Sequence, residues 1–433
     1  MYLLFVIVSV LLIMLARNII RKWINPCTVY IVIWWIALSL HDLNLIYYND
    51  MKKITYLYII AYECFICFGI MIGNKYKFVL GRKNIYYQVS NENDFDYTQL
   101  DKLIYATAIF AACAIIPNIM MILVKYGFSG IISNMADIYA ARESGEMDYV
   151  NYFAPMIYVS LVLMSIRIKK GGMKFCFIFV IVLAILNALS FGGRNNVMYT
   201  VLAILLPFLV NNDNRNKKMK VVKTNKFNRK RKRVVGVVII LCVVILYKIN
   251  MQRALATVIP NNISPLMKSL VTKNYSIYKT VQYISEPISY LDVYLDNSYF
   301  KFGVNTFYFW YKQMNKIGFN FPILTTLPFY NVPMQCNVGT YITELRIDFS
   351  WFGLFIAFFF GLILGISYRR FRVDDTDILA ALLMTIFYIA LILSFFMWHI
   401  RSTTIWLFVL YSIFVSLVWN RFCRHKHRLE QQL

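Results

Sequence analysis

Apolar runs of roughly 17–22 residues recur along nearly the whole chain, the length at which a helix crosses a bilayer's hydrocarbon core. Period-two alternation, the mark of a membrane β-barrel, is absent from these runs. The pattern predicts an all-α, polytopic membrane helical bundle of about eleven transmembrane helices. They fall near 2–18, 27–46, 54–73, 103–124, 151–168, 175–192, 195–210, 234–251, 349–368, 377–398 and 403–420. The first run begins Met1-Tyr-Leu-Leu-Phe5, without a basic n-region or a small-residue cleavage site, and its positive charge comes afterwards at Arg17, Arg21 and Lys22. It reads as a retained first helix with its N-terminus outside.

Composition agrees with this pattern. The 433 residues are 60% hydrophobic, with mean hydropathy +0.57. Only 15% are charged, against about 25% in soluble domains. The net charge of +24 would suggest nucleic acid in a soluble protein, but here the positive-inside rule accounts for most of it. The segments 17–25, 74–102, 167–174, 211–233, 369–376 and the tail from Arg421 hold roughly 30 of the 45 lysines and arginines. These are the expected cytoplasmic segments, and Arg229-Lys-Arg-Lys-Arg233 is their strongest anchor. The C-terminus is then inside. Segment 125–150, the hairpin at 192–195 and a loop of about a hundred residues ending at 348 fall outside. Three regions follow: an N-terminal bundle over 1–250, one large outer loop with amphipathic helices over 251–348, and C-terminal helices with a basic tail over 349–433. The eight cysteines imply no disulfide framework. Cys64 and Cys67 form a CxxC inside an apolar run, and only Cys336 falls in an outer loop.

Candidate chemistry gathers at the outer ends of the helices. In Leu189-Ser-Phe-Gly-Gly-Arg-Asn-Asn-Val-Met-Tyr-Thr-Val-Leu202, two glycines that permit positive φ precede Arg194 at a tight hairpin. Arg142, Arg253, Arg346 and Arg401 occupy the outer ends of other helices. Each alone fits an arginine snorkelling to the headgroups. In a bundle that closes as a ring, several converge, and guanidinium binds phosphate oxygens bidentately. No P-loop, HExxH or nucleophile elbow occurs, and no outer histidine pairs with another at metal-ligand spacing. Arginine is therefore the expected neutraliser of a phosphate, with no cofactor or metal. Candidate general bases are His399, Glu344 and Asp348, and each also fits a structural role. Tyr308, Trp310 and Tyr311 suit either stacking on sugar faces or an interfacial aromatic belt.

Three passages resemble the oligosaccharide repeat-unit polymerases, the O-antigen polymerase (Wzy-type) family. Phe191-Gly-Gly-Arg-Asn-Asn-Val-Met-Tyr199 is similar to that family's arginine turn before a helix. Pro287-Ile-Ser-Tyr-Leu with Phe302-Gly-Val-Asn-Thr306 resembles the middle of its large outer loop. Asn337-Val-Gly-Thr-Tyr341 followed by Asp348-Phe-Ser-Trp-Phe-Gly353 resembles the segment leading into the next helix, with Ser350 where the family pattern has glycine. The resemblance implies a metal-independent membrane glycosyltransferase of O-antigen or capsular polysaccharide synthesis, in the bacterial cytoplasmic (inner) membrane. The donor would be a growing glycan on undecaprenyl diphosphate, and the acceptor the non-reducing sugar of a new lipid-linked repeat unit. Arg194 and Arg142 would lead in stabilising the departing diphosphate, then Arg346, Arg253 and Arg401. Membrane lipid and a chain-length regulator protein are the implied partners. The alternatives are a flippase for lipid-linked oligosaccharide, a ligase, or a lipid-phosphate-sugar glycosyltransferase, the last drawing on Asp42 or Asp50.

Overall fold

The computed structural model describes residues 1–75, 97–147, 152–172, 174–210, 236, 260–297 and 299–430. Their helices are α1 (Tyr2–Ile20), α2 (Pro26–Asp42), α3 (Lys53–Lys75), α4 (Tyr97–Ser133), α5 (Met135–Glu143), α6 (Met156–Gly171), α7 (Phe177–Ser190) and α8 (Arg194–Leu209). There follow α9 (Pro265–Lys273), α10 (Tyr275–Asn297), α11 (Tyr308–Lys316), α12 (Tyr341–Phe349), α13 (Gly353–Val373), α14 (Ile378–Ile392) and α15 (Thr403–Glu430). Strands β1 (Tyr330–Asn331) and β2 (Gln335–Cys336) pair antiparallel in a small hairpin before α12. Among the described residues, five helical stretches are long and apolar enough to cross a membrane: Tyr2–Ile20, Lys53–Lys75, Tyr97–Ile131, Tyr341–Val373 and Thr403–Phe422. Pro26–Asp42, Phe177–Ser190, Arg194–Leu209 and Ile378–Ile392 are shorter apolar helices.

The predicted helices reappear with altered ends. The run expected at 27–46 stops at Asp42, because Asn44 takes φ +49° and the chain then runs extended to form a β-bridge between Ile46 and Ile263. The run expected at 103–124 extends to Ser133 through a kink at Gly127, whose φ of +70° and ψ of 177° lie outside the helical region. The run expected at 377–398 ends at Ile392, and a short 3-10 turn over His399–Arg401 precedes α15. The helix expected at 234–251 lies outside the described residues apart from Gly236, which is helical. Described residues 260–348 carry helices and a hairpin of their own.

The chain divides into two compact units that alternate along the sequence: 1–77, 254–369 and 387–406 in the first, 78–253, 370–386 and 407–433 in the second. In the first unit, caps set several helix starts. Asn25 accepts from the Thr28 amide (3.2 Å) with Pro26 opening α2, and Ser264 accepts from the Met267 amide (3.1 Å) with Pro265 opening α9. The unit's interior centres on Tyr341, whose hydroxyl bonds that of Tyr30 (2.7 Å), while the neighbouring Trp34 Nε1 donates to Ser394 (3.0 Å). Helices α3 and α13 cross at backbone contact. Gly69 and Gly73 face Gly361 and Gly365, and a Cβ on any of the four would sit 2.2–2.3 Å from a carbonyl oxygen of the opposite helix. Small residues at this spacing let helices pack where lipid supplies no hydrophobic drive.

The second unit packs α4, α6, α7 and α8 together. A buried ion pair braces it, Arg167 Nε donating to Asp101 (2.9 Å) with Lys174 on the other carboxylate oxygen. Lys169 donates to the carbonyls of Pro207 (3.1 Å) and Val210 (2.6 Å) near the end of α8. A cation there satisfies carbonyls the helix leaves open.

Candidate functional site

In the second unit the site forms on the turn between α7 and α8. The Gly192 amide donates to Leu189 O (3.0 Å) as the chain leaves α7, and Gly192 then takes φ +56°. A Cβ there would lie 2.6 Å from Met135 O and 3.3 Å from Tyr139 N. The first turn of α5 thus sits directly on this glycine, which answers for both the backbone angle and the close approach. Gly193 differs from expectation. It is extended, at φ −103° and ψ 144°, and its hypothetical Cβ would make only ordinary contacts. It serves as N-cap of α8 without a side chain to bond the first amides, and Arg194 is the first helical residue.

Helix α5 delivers Arg142 to the same turn. Its guanidinium carbon lies 3.9 Å from the centre of the Phe191 ring, a cation–π contact. Arg142 and Arg194 are both partly exposed. Beneath them, Tyr158 of α6 donates to Asn196 Oδ1 (3.1 Å) and accepts from Asn187 Nδ2 (3.2 Å), joining α6, α7 and α8 through buried polar groups. The turn therefore carries two arginines, a helix start without a side-chain cap and a polar floor. That is the chemistry of an anion site.

Arg346, Arg401, Glu344, Asp348 and His399 belong to the first unit. Glu344, 1% exposed, accepts from Arg401 Nη1 (3.2 Å). Arg401 Nη2 donates to the carbonyls of Leu324 (2.9 Å) and Thr325 (3.1 Å), so this guanidinium ties the chain before the β-hairpin to α12. Asp348 is a clamp. Its carboxylate accepts from the Asn305 amide and side chain (both 2.9 Å) and from the Thr306 amide (2.5 Å), fixing the turn at Gly303, where φ is +65°. His399 is fully buried against Phe396. Burial and the neighbouring Arg401 charge push its pKa down to about 3. At neutral pH it is an uncharged imidazole and a weak base. Arg346 donates to Ser350 Oγ (2.8 Å) and lies over the rings of Tyr58 and Trp351.

Ser350 itself sits at φ 53° and ψ −127°, a backbone region natural to glycine. Ser350, where the sequence resemblance expects glycine, thus takes a conformation that glycine would adopt without strain. Among the aromatics, Tyr308 faces the Arg401 guanidinium at 5.8 Å, Trp310 meets Trp406 edge-on at 5.4 Å, and Tyr311 stacks on Phe321 at 4.7 Å. Arg253 lies outside the described residues, as does the whole basic run at 211–233.

The structure thus brings Arg142 to the turn that carries Arg194, and it joins Arg401 to Glu344. Sequence reading missed other polar centres. His41 bridges Asp42 Oδ1 and Ser289 Oγ (both 2.9 Å), and Tyr56 donates to the second oxygen of Asp42 (2.8 Å). Asp292 accepts from Thr55 Oγ1 (2.5 Å) and the Lys52 amide (2.8 Å). Both link residues more than two hundred positions apart, and no local spacing announces such a pair. The Gly69/Gly73 and Gly361/Gly365 spacings, in contrast, stand plainly in the sequence. No protein-family model, no curated protein and no solved structure matches this chain.

Proposed function

We propose that the chain is a membrane glycosyltransferase that polymerises lipid-linked oligosaccharide repeat units. It acts at the outer leaflet of a bacterial cytoplasmic membrane, with about eleven spans, the N-terminus outside and 211–233 inside. The observation that carries the reading is the turn at Gly192. There α5 is seated against Gly192 and Arg142 lies over Phe191, so Arg142 reaches the turn that leads into Arg194.

In this reading the acceptor sugar hydroxyl attacks the anomeric carbon of the donor glycan, and the bond to the carrier lipid's diphosphate breaks. The pair of electrons leaves with the diphosphate, and Arg142, Arg194 and the N-terminal dipole of α8 stabilise the growing charge. Positioned donors of this kind are worth about 3–4 kcal/mol each when aimed at a developing anion. Arg346 and Arg401 hold the fold around α12 and the loop above it, and Arg253 keeps the auxiliary phosphate role suggested by the sequence. Glu344, Asp348 and His399 belong to the first unit, where Glu344 is paired with Arg401, Asp348 is occupied by three donors and His399 is held neutral, which favours structural roles for all three; the hydroxyl proton leaves to water or to the departing diphosphate.

Deleting the gene should leave one repeat unit on each surface anchor, read by gel analysis of the cell's glycan. Arg194→Ala should reproduce that single-unit pattern while the protein still reaches the membrane. Loss of all surface glycan on deletion would indicate a flippase. Long chains accumulating on the carrier lipid would indicate a ligase. Full-length polymer from Arg194→Ala would remove this turn from the mechanism.

A further inference from the structure

Residues 299–329 expose large apolar side chains and lysines together. No aspartate or glutamate occurs between Asp296 and Glu344. Within 299–329 no exposed side chain is acidic, and beside Asn320, Thr325 and Thr326 two kinds stand out. One is large and apolar: Ile317 is 72% exposed, Phe329 63%, Phe302 60% and Phe300 57%, with Phe319 also exposed. The other is lysine: Lys301, Lys312 and Lys316, all exposed. An apolar surface of this size beside cations is unusual on a face that meets only water.

The contacts of this segment define where it lies. Phe302 packs edge-on against Phe349 (5.7 Å), the last residue of α12, just before Trp351 and Phe352 lead into α13. Both Trp351 and Phe352 are exposed, and the apolar row continues down α13 through Phe355, Phe359 and Ile363. Trp310, on α11, packs edge-on against Trp406 (5.4 Å), in the first turn of α15. The segment therefore touches the starts of two helices long and apolar enough to cross a bilayer. Tryptophan, phenylalanine and lysine at such a level are the residues of a membrane interface.

We propose that residues 299–329, with α11 at their centre, form a monotopic anchor lying in the headgroup region and selecting anionic phospholipid. Phe300, Phe302, Ile317 and Phe319 enter the acyl boundary, while Lys301, Lys312 and Lys316 meet lipid phosphates. The anchor connects to the interior of the unit, because Arg401 holds the carbonyls of Leu324 and Thr325 and is itself paired with Glu344. The inference goes beyond the polymerase reading and stands whether or not the chain transfers sugars.

The test is photocrosslinking in the full-length protein. A benzoylphenylalanine is placed at 317 or 319, and the protein is reconstituted into nanodiscs of phosphatidylglycerol with phosphatidylethanolamine, or of phosphatidylcholine alone. Intact-mass analysis after irradiation identifies the adduct. The expected result is a phospholipid adduct at both sites, enriched about fivefold or more in the anionic membrane. Lys312→Gln with Lys316→Gln should abolish that enrichment while the adduct itself persists. Both lysines are exposed, and far-ultraviolet circular dichroism checks that the variant keeps its fold. A crosslink to a second copy of the chain, or no lipid adduct, overturns the anchor. Equal yields in the two membranes overturn its anionic selectivity.

Discussion

Replacing Gly361 by alanine sets two effects of opposite sign against each other. Helix propensity alone favours alanine over glycine by about 1 kcal/mol in a helix interior. The crossing of α3 and α13 opposes it, because the new Cβ would stand 2.3 Å from Ile66 O, a main-chain atom that cannot rotate away. Restoring an ordinary contact requires the helices to part by about 1 Å, and a gap of that size forfeits up to half of each atom pair's ~0.1–0.2 kcal/mol. Across several tens of pairs this comes to about 2–3 kcal/mol. The weak Cα–H···O contacts that such close crossings support add about 1–2 kcal/mol. The net expectation is a loss of about 2–4 kcal/mol, within the range for overpacking.

Gly365, 2.3 Å from Ile70 O, Gly69 from α3, 2.2 Å from Phe358 O, and Gly73, 2.3 Å from Leu362 O, predict the same sign. The measurement is unfolding of the purified protein in mixed micelles, with increasing dodecyl sulfate, followed by far-ultraviolet circular dichroism. Phe359→Ala, on the exposed face of the same helix, controls for general effects of substitution on α13. A Gly361→Ala protein as stable as the parent would refute the backbone crossing.

Ser350 supplies a second test of geometry. Ser350→Ala loses the bond from Arg346 and keeps the unfavourable backbone, whereas Ser350→Gly loses the bond and relieves about 1–3 kcal/mol of strain. The glycine variant should therefore be the more stable of the two in the same unfolding assay, and equal stability would contradict the assigned backbone. His399 makes stability depend on pH. Its pKa is about 3 in the fold against 6.5 for the free side chain, so below pH 6.5 the unfolded chain binds a proton that the folded chain refuses. The stability is complete above that pH and drains away as pH falls toward 3, by about 2 kcal/mol at pH 5. His399→Gln should flatten this part of the pH–stability profile, and an unchanged slope would assign it to other groups. Gly192→Ala forces a side chain into a left-handed angle, costing about 1–2 kcal/mol, and into Met135 O. It should displace α5, and under the proposed polymerase function both it and Arg142→Ala should lower polymer yield; wild-type polymer from both variants would separate the turn from function.

Much of the architecture is written in local sequence. Long apolar runs have few choices other than helices, because a chain in lipid must satisfy its own backbone hydrogen bonds. Hence α1, α3, α6, α7, α8, α13 and α15 lie where hydropathy put them. The turn at Gly192 was legible for a similar reason, since glycine beside arginine between two apolar runs is locally anomalous. Boundaries were less legible. Helix α2 ends early because residues 43–46 turn away to meet Ile263, a partner more than two hundred positions on.

The roles of ionisable groups depended most on the fold. Asp348 and Arg401 have the residue types of catalytic groups, but their partners Asn305, Thr306, Leu324 and Glu344 come from separate segments. The two units likewise draw on alternating stretches of chain, which no composition boundary marks. Hydropathy acts through a residue's own side chain and its near neighbours, so it can be read in one dimension. Hydrogen-bond saturation and desolvation act through atoms that folding brings within about 3 Å, and that proximity exists only once the chain has closed on itself.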